Sequence, residues 1–195
     1  LMRKGLSYDE PGARALAAAL TSLVGAVAWS TSVELAKHLG AFPEFVNNVE
    51  DVNRVLRNHR RAAYGSESDS YEGLTIFPTK IDWNLVPKEL VDAGRTVWDE
   101  TILGAEKFGV RNAQVTCIAP TGTIGLLMDC DTTGLEPDYA LVKFKSLAGG
   151  GSMRIVNNAV PYALTELGYS DDDSQTIQEY ILAKGTIEGC ETLKE

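Results

Sequence analysis

The residues best suited to chemistry are Pro120, Thr121, Gly122, Thr123 and Ile124, within Ala119-Pro120-Thr121-Gly122-Thr123-Ile124-Gly125. Glycine removes the Cβ that would keep a ligand from the backbone, and the two threonines add hydroxyl donors. A helix starting here would point unpaired N–H groups and a partial positive charge at an anion, and phosphate suits such a cradle. The stretch lacks the Gly-Lys-Ser/Thr ending of a Walker A loop and is not the dinucleotide G-x-G-x-x-G. Two other readings stand beside it. One is a strand-to-helix turn that needs glycine only for its shape. The other is a non-catalytic phosphate- or RNA-binding module using Gly122-Thr123-Ile124-Gly125 as a KH-type GXXG clamp on single-stranded RNA. Such clamps favour basic surroundings, and no Lys or Arg lies between Arg111 and Lys143.

The remaining candidates have plainer readings. Cys117, Cys130 and Cys190 form no Cys-x-x-Cys pair and have no histidine nearby in sequence, so no metal site is expected. Cys117 reads as a small apolar side chain inside a strand, and Cys130, between Asp129 and Asp131, has its thiolate disfavoured by like charge. His59, within Arg57-Asn58-His59-Arg60-Arg61, and His38, near Gly40, read as basic residues closing helices. Glu136-Pro137 and Asp138 fit either a carboxylate near the phosphate turn or a turn of their own. Asp171-Asp172-Asp173 reads as a helix N-terminal cap with a solvated face.

Positioning these residues requires an α/β framework. Apolar residues at helical spacing from Ala15 to Ala36 predict a long, well-buried helix within residues 6–40, opened by Asp9-Glu10-Pro11 and closed by Gly40, with Gly25 a point of close approach. A second helix is predicted over Val49–Ala63, capped by Asn48, and residues 64–80 read as a loop. A third follows Asn84, with Pro87 in its first turn and Leu90, Val91, Val97, Trp98, Ile102 and Leu103 on its buried face, and runs to Phe108. Ala113 to Ala119 is short, apolar and β-branched, which predicts a strand buried on both faces. A second strand is expected over Tyr139–Lys145, then helices over roughly 156–167 and 174–184.

Composition limits the classes available. The chain has 195 residues, 44% of them hydrophobic, and a net charge of −9. That suits a globular piece and argues against a general nucleic-acid binder, whose affinity rests on Lys and Arg meeting phosphates. No uninterrupted apolar run of about 20 residues offers itself to a bilayer. Sparse cysteines and the lack of a signal-like opening make the cytoplasm the expected compartment. Leu1-Met2-Arg3-Lys4-Gly5 reads as the end of a helix capped by Gly5, so a piece of a larger protein is expected, with residues 1–195 as a single part of one domain.

The stretch from Arg111 to Gly151, RNAQVTCIAPTGTIGLLMDCDTTGLEPDYALVKFKSLAGGG, resembles the adenosylcobalamin-dependent (class II) ribonucleotide reductases. GLSYDEPGARALAAALTS and RNHRRAAYG upstream, and NNAVPYALTELGY and GTIEGC downstream, are similar to the same family. PTG-Ser/Thr-I is shared with other reductase classes, whereas DCDTTGLEPDYALVKFK is more specific to class II.

The resemblance implies a ten-stranded α/β barrel, of which this chain is the later part, and reduction of ribonucleotides to 2′-deoxyribonucleotides for DNA synthesis. It implies adenosylcobalamin as cofactor, a cysteine thiyl radical that abstracts the ribose 3′-hydrogen, and a cysteine pair that supplies electrons. The family's loop matching Pro120 to Ile124 binds the substrate's phosphates. The implied partners are a ribonucleotide, the rest of the reductase chain and an external dithiol such as thioredoxin, without membrane or nucleic acid. No Asn-x-Cys-x-Glu occurs here, and the three cysteines match none of the family's catalytic ones, so no catalytic residue is expected in this chain and it should be inactive alone. Glu136, Gly149–Gly151 and Arg60-Arg61 receive no role.

Overall fold

The computed structural model describes residues 1–146 and 149–194, which form two compact units, Asp9–Cys117 and Leu1–Tyr8 with Ile118–Glu195. In the first, α1 (Pro11–Leu39), α2 (Val49–Tyr64) and α3 (Lys88–Phe108) pack together. Pro11 sits in the first turn of α1, where its missing N–H costs nothing, and Gly40 closes the helix at φ 79°. Small residues let α1 and α3 approach closely. A Cβ on Gly104 would lie 2.6 Å from Val33 Cγ1, whereas one on Gly25 would meet Trp98 at an ordinary 3.7 Å. The close approach expected at Gly25 is therefore required at Gly104.

The core between these helices holds Ala26, Trp29, Val33, Leu56, Ala63, Trp98, Ala105 and Val110. Trp98 donates its indole N–H to Ser22 Oγ at 3.1 Å, so its polar edge is satisfied inside apolar packing. A smaller cluster of Ala15, Ala19, Val86 and Val91 closes the other end of α1. The expectation that α1 is well buried is corrected in part. Ala15, Ala19, Val33 and Ala36 are covered, but Leu20, Val24, Val27 and Leu35 face outward, because α1 is apolar on nearly every side and its neighbours cover only one. By length and composition α1 could cross a membrane, although the core helix of a soluble protein passes the same test.

Salt bridges tie the loop after α2 back to that helix. Arg57 donates to Glu72 and to Glu50, each at 2.6 Å, Arg61 pairs with Glu72, and Asn58 exchanges hydrogen bonds with the Glu72 backbone. The hydrogen bond from Arg57, reinforced by Arg61, holds the Glu72 carboxyl down at about 2.

The second unit carries α4 (Gly122–Leu127), an antiparallel hairpin of β1 (Val142–Ser146) and β2 (Ser152–Val156), then α5 (Ala159–Glu166) and α6 (Asp171–Lys184). Val142 pairs with Val156 and Ser146 with Ser152. Its core gathers Val142, Val160, Leu164, Ile177, Ile181 and Cys190. Ser170 caps α6 by accepting from the Asp173 N–H, and the three aspartates occupy the first turn, where the helix dipole favours them. Met2–Lys4 forms one 3₁₀ turn ended by Gly5 at φ 62°, the left-handed cap that the sequence indicated.

Three expectations change. Ala113 to Ala119 is not a strand and is not buried: Ile118 is 79% exposed, Cys117 is exposed, and only Val115 packs against the first core. A strand buried on both faces needs ladder partners, and among the described residues the only sheet is the β1–β2 hairpin. The strand expected over Tyr139–Lys145 begins at Val142, and its partner β2 (Ser152–Val156) was not expected, so the next helix starts at Ala159 and not near residue 156. The result is a helix-rich α/β chain.

Glu72 makes an acid-stability prediction. A carboxylate held below its ordinary value of 4.5 stabilises the fold above that pH, and this contribution disappears as pH falls towards about 2. Glu72→Gln is expected to cost about 1 kcal/mol at pH 7 after allowance for solvent screening. It should also flatten the loss of stability between pH 4.5 and 2, measured by urea unfolding across a pH series. A thiol-labelling experiment checks the other change: Cys117 and Cys130 should react at once in the native chain, and buried Cys190 only after denaturation.

Candidate functional site

The turn at Pro120–Ile124 leads directly into α4, which starts at Gly122. A Cβ added to Gly122 would meet nothing within 4 Å, so the backbone here is open on its outer side. As first-turn amides, the N–H groups of Gly122, Thr123 and Ile124 have no intrahelical acceptor. The helix opens with Gly125 N–H donating to the Thr121 carbonyl at 2.6 Å. It closes with Met128 N–H on the Ile124 carbonyl and Cys130 N–H on that of Gly125, aided by Asp129 in the left-handed region at φ 54°.

Thr121 differs from its expected use. Its N–H and its hydroxyl both donate to the Thr133 carbonyl, at 2.7 and 2.8 Å. The hydroxyl thus fixes the turn to a neighbouring strip of chain and does not serve as a free donor. Thr123 and Ile124 are exposed beside it, so the structure keeps the five predicted residues together, with one threonine structural and the glycine open.

The strip that receives Thr121 is held in turn. Asp131 offers its carbonyl to Lys143 Nζ and, at 3.2 Å, to Asn157 Nδ2, while its carboxylate accepts from Arg3 Nε and Nη2 at 3.0 and 2.9 Å. Asp138, the carboxylate considered for the phosphate turn, is spent elsewhere. Its side chain is only 5% exposed and pairs with Lys143 Nζ at 2.8 Å and Asn157 Nδ2 at 2.6 Å. Glu136 is exposed beside Gly134. The sequence reading missed Lys143 and Asn157. The available signal was Asn157-Asn158 before an apolar run, a helix-start pattern, and Asn157 Oδ1 does accept from the Ala159 N–H at 2.8 Å.

The basic turn of the first unit does not offer its charges outward. Arg60 pairs with Asp99 at 2.5 Å, Tyr64 donates to the same carboxylate at 2.7 Å, and Arg61 is used on Glu72. Burial pushes the Asp99 carboxyl up, but the hydrogen bonds from Tyr64 and Arg60 outweigh it and leave it lowered. His59 is not a capping cation either. Its ring stacks on Trp98 with centroids 5.4 Å apart, and desolvation on that face lowers its pKa although the residue remains exposed. His38 hydrogen-bonds Glu34 at 3.2 Å at the end of α1.

No group of three or more His, Cys, Asp or Glu suited to a metal forms among the described residues.

The family model described as "Ribonucleotide reductase, barrel domain" matches residues 1–195. A vitamin B12-dependent ribonucleotide reductase of Agrobacterium fabrum is 50% identical over 188 residues, covering 96% of this chain and 15% of the relative. The protein of that name in Rhodopirellula baltica is 43% identical over all of this chain and 17% of its own length. That of Streptantibioticus cattleyicolor is 41% identical over 100% of the chain and 30% of the relative. The chain therefore spans about a sixth to a third of the curated relatives it matches. With the match running from the first residue to the last, the chain belongs to the ribonucleotide reductase barrel-domain family.

Proposed function

We propose that this chain is the later part of the catalytic barrel of a vitamin B12-dependent ribonucleotide reductase, and that Pro120–Ile124 binds the phosphates of the ribonucleotide. The family match over residues 1–195 carries the reading. Two surfaces support it: the apolar outer face of α1 and the exposed, unpaired Ala113–Ala119 segment are what a helix and a strand of a larger ten-stranded α/β barrel would present. The enzyme would act in the cytoplasm on a ribonucleotide, with an external dithiol such as thioredoxin as reductant and with neither membrane nor nucleic acid as partner.

Bound to the complete enzyme, adenosylcobalamin supplies the radical chemistry. The residues of this chain contribute position. Backbone amides at Gly122–Ile124 grip the remote phosphates, and that binding energy holds the sugar so that one ribose hydrogen meets the radical and its neighbours do not. Charge-assisted hydrogen bonds of this kind contribute about 1.5–3 kcal/mol each.

Gly122→Val places a branched side chain where the ligand must approach, yet meets no protein atom within 4 Å. In the complete enzyme, nucleotide affinity is expected to fall at least about tenfold, with folding stability nearly unchanged. Calorimetric titration alongside thermal melting checks both, and unchanged affinity removes the phosphate role. The isolated chain should yield no deoxynucleotide when supplied with adenosylcobalamin, a dithiol and ribonucleotide. Any product above background contradicts the view that its three cysteines take no part in turnover.

A further inference from the structure

Behind the turn lies a buried polar group that the phosphate reading leaves unused. Asn157 is 2% exposed and satisfies every polar atom it has. Its N–H donates to the Leu141 carbonyl, extending the hairpin ladder by one pair, and Oδ1 starts α5 through Ala159. Nδ2 reaches both the Asp138 carboxylate and the Asp131 carbonyl. Lys143, projecting from β1, repeats that choice by touching the same carboxylate and the same carbonyl. Two donors, one on β1 and one just past the end of β2, thus converge on one backbone oxygen, with a buried carboxylate orienting both. Two residues further on, the Thr133 carbonyl receives the paired bonds of Thr121.

We infer that Lys143 and Asn157, oriented by Asp138, are positioning residues for phosphate binding: they fix Asp131–Thr133 as the strip that sets the conformation of the Thr121–Gly125 turn. The inference rests on the phosphate reading of that turn. The pair of buried Asp138 with half-buried Lys143 is a poor stabiliser by itself, since desolvation of the carboxylate cancels much of its attraction. Its geometry instead favours one backbone placement, because both donors meet the Asp131 carbonyl while the Asp138 carboxylate holds them. None of the three side chains needs to touch the ligand.

The experiment uses the complete reductase with Lys143→Met, Lys143→Arg and Asn157→Asp, and with Gly122→Val for comparison. The double variant Asp138→Asn/Lys143→Met removes both charges together and keeps the test open if the single change prevents folding. Two quantities are read in each variant with a retained melting transition. They are hydrogen exchange at the Thr121 amide, and the ratio of affinities for a ribonucleotide and the corresponding phosphate-free ribonucleoside. Lys143→Met and Asn157→Asp are expected to speed Thr121 exchange while β1–β2 amides stay protected. They should also cut the nucleotide preference about tenfold and leave nucleoside affinity within about twofold, and Lys143→Arg should recover most of the loss. Unchanged Thr121 exchange overturns the positioning role. A shift with Lys143→Met but none with Asn157→Asp also overturns it and makes Lys143 a direct contact. If Gly122→Val itself leaves the nucleotide preference intact, the phosphate reading fails, and the inference fails with it.

Discussion

One backbone oxygen governs the shape of the candidate site. The Thr133 carbonyl takes both donors of Thr121, twelve residues earlier, and so converts an exposed run of chain into a turn with a defined entry to α4. A six-residue helix has little intrinsic stability, since nucleation costs more than so few hydrogen bonds return. Its existence therefore depends on anchors at its ends: the Thr121 pair at the start and the Cys130 amide at the finish. With the threonine side chain committed to this task, the phosphate role proposed above would rest on glycine and on main-chain amides, which cannot be reoriented independently of the turn.

The first unit rests on a different constraint, close packing. Glycine at position 104 accommodates Val33, and the Trp98 ring lies between Gly25 of α1 and His59 of α2, joining three helices at one place. The imidazole covers one face on the indole while the residue itself stays exposed, and that partial desolvation lowers its pKa. Charged groups hold the periphery, where Arg57, Arg61 and Glu72 pin the start of the long loop after α2.

How much of this was legible in the sequence depends on the range of the interactions. Helices α1, α2 and α3 were readable because capping residues and 3.6-residue periodicity are local. So were the glycine turn and its lead into a helix. The strand over Ala113–Ala119 was misplaced because a strand is defined by its partners, and residue pattern cannot supply them. His59 looked like a cation beside arginines, and only the fold reveals the tryptophan beneath it. Lys143 and Asn157 were invisible as a pair, since their common target, the Asp131 carbonyl, is a main-chain atom with no signature in residue type.

The uncovered segment from Gln114 to Ala119 bears on how such a chain behaves at high concentration. It is six residues long, uncharged, free of proline and rich in β-branched side chains, and its backbone has no ladder to occupy it. Sequences of that kind self-associate edge to edge when left open. This ribbon therefore offers one route to self-association, which added charge or a complementary polypeptide would block.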